Sequence, residues 1–362
     1  MKIVNIETKR LITPLNKTFK TSKRATDIAE AVIVQLRCDN GQIGYGSAAA
    51  TPVITGETLA SIEAAINELM APQLINEEIS QRERIEAKLN RVIIHNTSAR
   101  AAVNIAIYDC LAKEAGLPLY KLLGGFTHQL TTDYTVSVNA VDDMCADANK
   151  YVSNGFRTLK IKVGSGSIAE DLRRVSAIRQ QVGRSIKLCL DANQGWTAKE
   201  AIAVITKMED ADLDIAFVEQ PVAYWDFDGM KQVTAHVATP IMADESIFNA
   251  RDAARLLAMH GCDMVNIKLM KTGGLDEATK INAIAESYGA PCMIGCMIES
   301  SVSLAAAIHF AAAHANIAYC DLDAALMFRS DPVCSDISYQ KDQILLSSIP
   351  GLGIKKIHFD AI

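Results

Sequence analysis

The chain has 362 residues, of which 49% are hydrophobic and 22% charged, and a formal net charge of −6. This is a globular composition, and the length suits one large domain with a smaller one beside it. The mild acidity speaks against a nucleic-acid surface, and no apolar run approaches the roughly 20 residues of a membrane span.

The opening stretch MKIVNIETKRLITPL carries charges throughout and does not read as a secretory signal. Nine cysteines, an odd number with no CxxC among them, fit small buried hydrophobes in a reducing cytoplasm. Seven histidines form no pair at metal-ligand spacing, which argues against a histidine zinc site. Two strand-like runs then flank Asn40-Gly41, a hairpin turn signal. Helical patterns follow at about 57–72, 80–93 and 98–115, the last stopped by Gly116 with Pro118 beyond.

From about residue 130 the rhythm changes. TDYTVSV, TLKIKVG, IKLCLDAN, IAFVEQP, PIMADES, MVNIKLM, PCMIGCM and IAYCDLD recur every 24 to 30 residues, with amphipathic segments between them. Strand, helix, strand at this spacing means parallel βαβ units. Eight such strands predict a closed barrel, and the absence of GxGxxG after the first weakens a dinucleotide-binding alternative. The fold expected is α/β, a (β/α)7β TIM-like barrel with an α+β N-terminal capping domain completed by the C-terminal tail. The expected boundaries are 1–128 for the cap, 129–328 for the barrel and 329–362 for a returning segment in which QILLSS and GIKKIHF are strand-like.

Barrels of this kind carry their chemistry at the strand C-termini. There the sequence places Lys160 and Lys162 (second strand), Asp191 (third), Glu219 (fourth), Asp244 (fifth), Lys268 (sixth) and Asp321 with Asp323 (eighth). Alternation puts each in phase with the interior. Salt bridges explain one or two buried charges, but they explain poorly a set with three acids on consecutive strands between lysines on nearly opposite strands. Three carboxylates suit a hard cation such as Mg²⁺, with Mn²⁺ able to stand in, and leave room for a substrate carboxylate. Lys160 beside Lys162 disfavours a second charge, so Lys162 reads as a base while Lys160 stays charged and holds substrate. Lys268 then faces the other side of the same carbon, the arrangement an epimerase or racemase needs.

KIK at 160–162, DAN at 191–193, VEQP at 218–221, ADES at 243–246 and NIKLMKTGG at 266–274 together resemble the enolase superfamily, in its muconate-lactonising-enzyme-like branch. The resemblance covers the whole chain. It implies Asp191, Glu219 and Asp244 as Mg²⁺ ligands, Lys162 and Lys268 as the acid/base pair, and substrate contacts from Lys160 and Asn193. YCDLDAAL resembles the dipeptide epimerases of that branch, where an acid pair such as Asp321 and Asp323 receives the dipeptide's terminal ammonium. IGCMIESS, residues 294–301, resembles the same group and implies a backbone contact from Cys296; no histidine is placed to make that thiol a nucleophile. Arg24, in the polar loop FKTSKRATD, matches the arginine that pairs with a substrate glutamate. Ile54 is expected to add apolar contact and Thr135 a hydrogen bond.

The resemblance thus implies 1,1-proton transfer at the C-terminal residue of a dipeptide, L-Ala-D/L-Glu, drawn from murein peptides, through a metal-stabilised enediolate. An N-acylamino-acid racemase or o-succinylbenzoate synthase is the alternative on the same scaffold, and a silent small-molecule-binding barrel is the non-enzyme alternative. The partners expected are a small dipeptide and, in assembly, further copies of the chain.

Overall fold

Asn40 and Gly41 turn the chain where the sequence places the turn: Gly41 adopts φ +84°, and Ala25–Cys38 pairs antiparallel with Ile43–Ala49. The computed structural model describes residues 1–359; the last three positions of the expected 329–362 segment lie outside the described residues. A first strand, Ile3–Lys20, pairs with Ala25–Cys38 and forms one edge of this three-stranded sheet. As an edge strand it tolerates Pro14 and an irregularity between Pro14 and Phe19. That irregularity ends the regular pairing next to the loop bearing Arg24.

The helix Thr97–Glu114 packs onto this sheet with residues buried all round it. Its closeness depends on glycine in Ile43–Ala49, because a Cβ at Gly44 or Gly46 would lie 2.1 or 1.8 Å from the Ala106 or Ala102 carbonyl oxygen. Helices also occupy 59–74 and Arg82–Val92, close to the ranges read from the sequence.

The second unit is a ring of eight parallel strands: Tyr134–Val136, Thr158–Lys162, Lys187–Asp191, Ile215–Glu219, Ile241–Ala243, Met264–Ile267, Cys292–Gly295 and Ile317–Asp321. They are called barrel strands one to eight below. Neighbours in sequence are neighbours in the sheet. Helices follow the first seven strands, and only a 3₁₀ turn, Ala324–Met327, follows the eighth, as (β/α)7β requires. Capping boxes start two of the helices, Ser167 with Glu170 and Thr197 with Glu200. Strands one and eight meet through single contacts rather than a ladder: the Asp133 amide donates to the Cys320 carbonyl at 3.1 Å, and the Leu322 amide donates to Thr132 Oγ1 at 3.0 Å.

Inside the ring, Cys189, Phe217, Met242, Met264 and Met293 form a buried apolar layer with Tyr319 against it. Two residues further along the same strands stand Asp191, Glu219, Asp244, Asn266, Gly295 and Asp321. The tail strands Gln343–Leu345 and Ile354–Ile357 pair with Gln129–Thr131 and Val333–Ser335, outside the three-stranded sheet. The tail also touches the first unit, where the Leu352 amide donates to Asp109 Oδ1 at 2.8 Å. Among the described residues no helix is long and apolar enough to cross a membrane.

Candidate active site

Each charged side chain of the site sits at a strand end because β alternation there points inward, above the apolar layer. Lys160 and Lys162 close strand two, and both are buried. Asp191 and Glu219 close strands three and four, each 0% exposed. Asp244 and Lys268 follow strands five and six by one residue, and Asp323 follows strand eight by two.

The backbone at two of these ends is strained. Asn193 and Gln220 adopt φ +42° and +36°, at a cost of about 1–3 kcal/mol each. Both are held by their contacts. The Asn193 amide donates to Asp191 Oδ1 at 2.9 Å, and Gln220 Oε1 accepts from the amides of Asp244 and Ser246 at 2.8 and 3.1 Å. The turns that orient the acids of strands three and five are therefore tied to the strand ends themselves.

Strand seven ends on Gly295, where a Cβ would lie 2.7 Å from Asn266 Oδ1 and 2.9 Å from Lys268 Cε. Only glycine lets the Lys268 chain pass there.

Lysines and acids alternate through the site. Lys162 Nζ donates to Asp191 Oδ2 at 2.6 Å, and Lys268 Nζ to Asp244 Oδ2 at 2.7 Å. Lys160 Nζ lies 2.6 Å from Asp321 Oδ2, 2.7 Å from Glu219 Oε2 and 3.0 Å from Asp191 Oδ2. Lys271, which the sequence reading did not single out, is 2.6 Å from Asp244 Oδ1 and donates to the Ile247 carbonyl at 3.1 Å, tying strand five to strand six. Burial alone would raise Asp191 and Asp244, but Lys160 and Lys162 hold the first, and Lys268 and Lys271 the second, well below the usual carboxylate range. Burial works against the charge on Lys160 and Lys268 too, yet Asp191 beside the first and Asp244 beside the second keep both ammoniums above the ordinary lysine range.

Acid exceeds base. Asp133, Asp191, Glu219, Asp244, Glu245, Glu299, Asp321 and Asp323 are buried against the ammoniums of Lys160, Lys162, Lys268 and Lys271. Burial with Asp191 nearby pushes Glu219 up to about 8, burial with Asp244 nearby pushes Glu245 up to about 7, and burial with Asp321 nearby pushes Asp323 up to about 7. A site with this surplus suits cations from outside the chain. The donor set fits Mg²⁺: three carboxylates on adjacent strands, with the buried oxygens Asn193 Oδ1 and Glu245 Oε2 beside them lacking any hydrogen-bond partner among the described residues. A second acidic group lies on the far wall, where Asp133, Asp321 and Asp323 each offer an oxygen within 4.8 Å of the others.

Above these charges opens a cleft of about 610 Å³ including its mouth. Ten of the residues named from the sequence line it: Arg24, Ile54, Thr135, Lys162, Asn193, Asp244, Lys268, Cys296, Asp321 and Asp323. Asp191, Glu219 and Lys160 lie beneath, joined to the lining by the ion pairs above. Lys160, for which a substrate contact is expected, is held among the strand-end acids. It is 1% exposed; its Nζ donates to Asp321 Oδ2 and forms ion pairs with Glu219 and Asp191. The Cys296 amide is committed to the Asp321 carbonyl at 3.0 Å, and burial pushes its thiol well above the ordinary range, which leaves it no nucleophile.

The cap supplies the lid. Ser22 Oγ donates to the carbonyls of Ala192 and Asn193 at 3.2 and 3.1 Å, and the Val138 amide donates to the Lys20 carbonyl at 3.3 Å. These contacts pin the loop to strands one and three. Within it, Thr21 Oγ1 accepts from the Arg24 amide at 3.2 Å. Phe19 from the same segment lies over Lys162, with its ring centroid 5.9 Å from Nζ. Arg24 is partly buried and has no carboxylate partner among the described residues; burial lowers its pKa from the ordinary value. Val53, Met297 and Ile298 complete an apolar rim that the sequence reading had represented only by Ile54.

Residues 3–124 match the family described as mandelate racemase / muconate lactonizing enzyme, N-terminal domain, and residues 143–356 match the enolase C-terminal domain-like family. The chain is 49% identical to the L-Ala-D/L-Glu epimerase of Bacillus subtilis strain 168, over 98% of this chain and 97% of that one. A solved substrate-liganded complex of the Bacillus subtilis L-Ala-D/L-Glu epimerase superposes with a TM-score of 0.98 over 99% of both chains, at 49% identity. A dipeptide epimerase from Enterococcus faecalis V583, solved with Mg and L-Leu-L-Tyr, superposes with a TM-score of 0.95 at 42% identity, over 98% of this chain and 100% of that one. The strand-end charges, the barrel that orders them and the cap that covers them place this chain in the mandelate racemase / muconate lactonizing enzyme family of the enolase superfamily.

Proposed function

We propose that the protein is a Mg²⁺-dependent dipeptide epimerase that inverts the α-carbon of the second residue, with L-Ala-D/L-Glu as its preferred substrate. One observation carries the reading: Lys162 and Lys268 line one cleft from strands two and six, four places apart in a ring of eight, with Asp321 and Asp323 between them on the wall. One lysine, neutral, takes the α-proton from its face, and the C–H electron pair stays with the substrate. The other, as ammonium, returns a proton to the opposite face, so the configuration inverts and the two lysines exchange protonation states.

Asp191, Glu219 and Asp244 are the residues to hold Mg²⁺. The bound ion supplies positive charge next to the substrate carboxylate, where negative charge grows as the α-proton leaves. Lys160 stays charged, braces Asp191, Glu219 and Asp321, and contacts the substrate carboxylate. Asn193 and Thr135 position the substrate by hydrogen bonds, the Cys296 carbonyl meets its backbone, and Ile54 covers its apolar part. Arg24, partly buried and unpaired, is placed for an acidic side chain, which favours glutamate at the second position. Asp321 and Asp323 take the terminal ammonium. An N-acylated amino acid offers no such cation, which argues against the racemase alternative.

The same reading assigns residues 1–128 to the cap, 129–328 to the barrel and 329–362 to a segment returning to the cap. It also implies a cytoplasmic setting, supported by nine unpaired cysteines, dipeptides supplied from murein, Mn²⁺ as an acceptable substitute for Mg²⁺, and assembly with like chains. The test is proton NMR of L-Ala-L-Glu in D₂O with Mg²⁺. Loss of the glutamate α-proton signal together with appearance of L-Ala-D-Glu is expected. No exchange from this or any other dipeptide overturns the proposal.

A further inference from the structure

Asp133 immediately precedes barrel strand one and shares the parity of Thr135, so both point into the ring. It is buried, with 4% exposure, and Oδ1 has no hydrogen-bond partner among the described residues. Its backbone amide already serves the barrel seam through the Cys320 carbonyl, and that contact needs no carboxylate. An unpaired buried carboxyl is costly, and a fold that needed only the seam would be better served by an apolar side chain.

We propose that Asp133 is the third acceptor for the substrate's amino group, forming with Asp321 and Asp323 a seat for a primary ammonium. This deepens the dipeptide reading and rests on it. The geometry suits the ligand. An ammonium with three N–H···O contacts of ordinary charge-assisted length holds its acceptors about 4.6 Å apart, and Asp133, Asp321 and Asp323 offer oxygens within 4.8 Å of one another.

The chain's own cation nearby does not fill the seat. Lys160 donates to Asp321, pairs with Glu219 and Asp191, and makes no ion pair with Asp133 or Asp323 among the described residues. Asp323 Oδ2 accepts the Thr135 amide at 2.7 Å, which fixes that carboxyl toward the cleft it lines. Asp133 is buried behind that lining, beside Asp321 and Asp323, where the third proton of an ammonium bound between the three would point. Burial with Asp321 and Asp323 close by raises Asp133 well above the usual carboxylate range, as expected of a seat awaiting its cation. An acylated amine presents one neutral N–H and leaves the floor unmatched, so the seat selects free amino termini.

The experiment compares two substrates that differ only in the amino group, L-Ala-L-Glu and N-propionyl-L-glutamate, by α-proton exchange in D₂O with Mg²⁺ for the wild type and Asp133→Asn. The variant is expected to lower kcat/KM for L-Ala-L-Glu roughly ten- to a hundredfold, mainly through KM, and to change N-propionyl-L-glutamate by less than about threefold. The ratio between substrates cancels any general damage. Asp133→Ser, read the same way, replaces the first variant if its thermal unfolding shows it misfolded. Equal losses on both substrates make Asp133 a structural residue and overturn the proposal, and so does an unchanged ratio with an altered Mg²⁺ requirement, which would make the cluster a metal seat. If the wild type exchanges no proton from L-Ala-L-Glu or any other dipeptide, the epimerase reading itself fails; if it exchanges L-Ala-L-Glu and the ratio is unchanged, only the role of Asp133 fails.

Discussion

Two layers of the barrel interior are built by the same strands, two residues apart. The lower holds Cys189, Phe217, Met242, Met264 and Met293. The upper holds Asp191, Glu219, Asp244, Asn266 and Gly295. The backbone, parity and depth of burial are alike, so fold alone does not distinguish them. Chemistry does: the lower layer gains from leaving water, whereas the upper pays desolvation and recovers it only through ion pairs and ligands. One layer closes the barrel; the other is held in place by it, ready for cations and substrate.

The sharpest way to separate the layers is one substitution in each on strand four. Glu219→Gln removes an anion from the proposed Mg²⁺ set while keeping its shape, and kcat/KM is expected to fall more than about a hundredfold, since even outer partners of metal ligands cost ten- to a hundredfold. Its thermal midpoint should hold or rise, because a buried carboxyl pushed up to about 8 is replaced by a neutral amide. Phe217→Ala should do the reverse, losing about 3–5 kcal/mol of stability while the folded fraction keeps its turnover. Paired denaturant titrations and exchange assays read both; a Glu219→Gln enzyme at full rate would refute the assignment.

Gly295→Ala probes the boundary between the layers. The added methyl must push aside Asn266 Oδ1 and Lys268 Cε, with a stability cost of about 1–3 kcal/mol. Displacing Lys268 should lower turnover by about a hundredfold, with proton return to one face suffering most. Rates from each epimer in D₂O check this. Arg24→Ala tests the cap, whose charge is set by a loop and not by a strand. The expected loss is roughly ten- to a hundredfold in kcat/KM for Ala-Glu and little for Ala-Leu. Equal loss on both would mean that Arg24 supports the loop and would remove the case for glutamate.

The strand-end charges were legible in the sequence because period-two alternation and even spacing need no tertiary knowledge, and the Asn40-Gly41 turn carries its own conformational signature. Lys271 was not legible: it lies in a short helix after strand six and folds back to Asp244, a contact that no periodicity encodes. Asp133 could have been found from its parity with Thr135, but it stands before the strand proper and not at its end. The 18-residue first strand was obscured by Pro14 and by its charged outer face, both consequences of lying at a sheet edge. The tail strands were visible as strands, but their partners, 129–131 and 333–335, were not, because pairing at such separation leaves no local mark.

The claim on which everything else depends is that two lysines work from opposite faces of one carbon. It is tested most directly by α-proton exchange in D₂O from L-Ala-L-Glu and L-Ala-D-Glu, each followed by NMR in Lys162→Ala and Lys268→Ala. The arrangement predicts that each variant loses epimerisation, and that each loses exchange from a different epimer while retaining some from the other. Loss of exchange from the same epimer in both variants would contradict it.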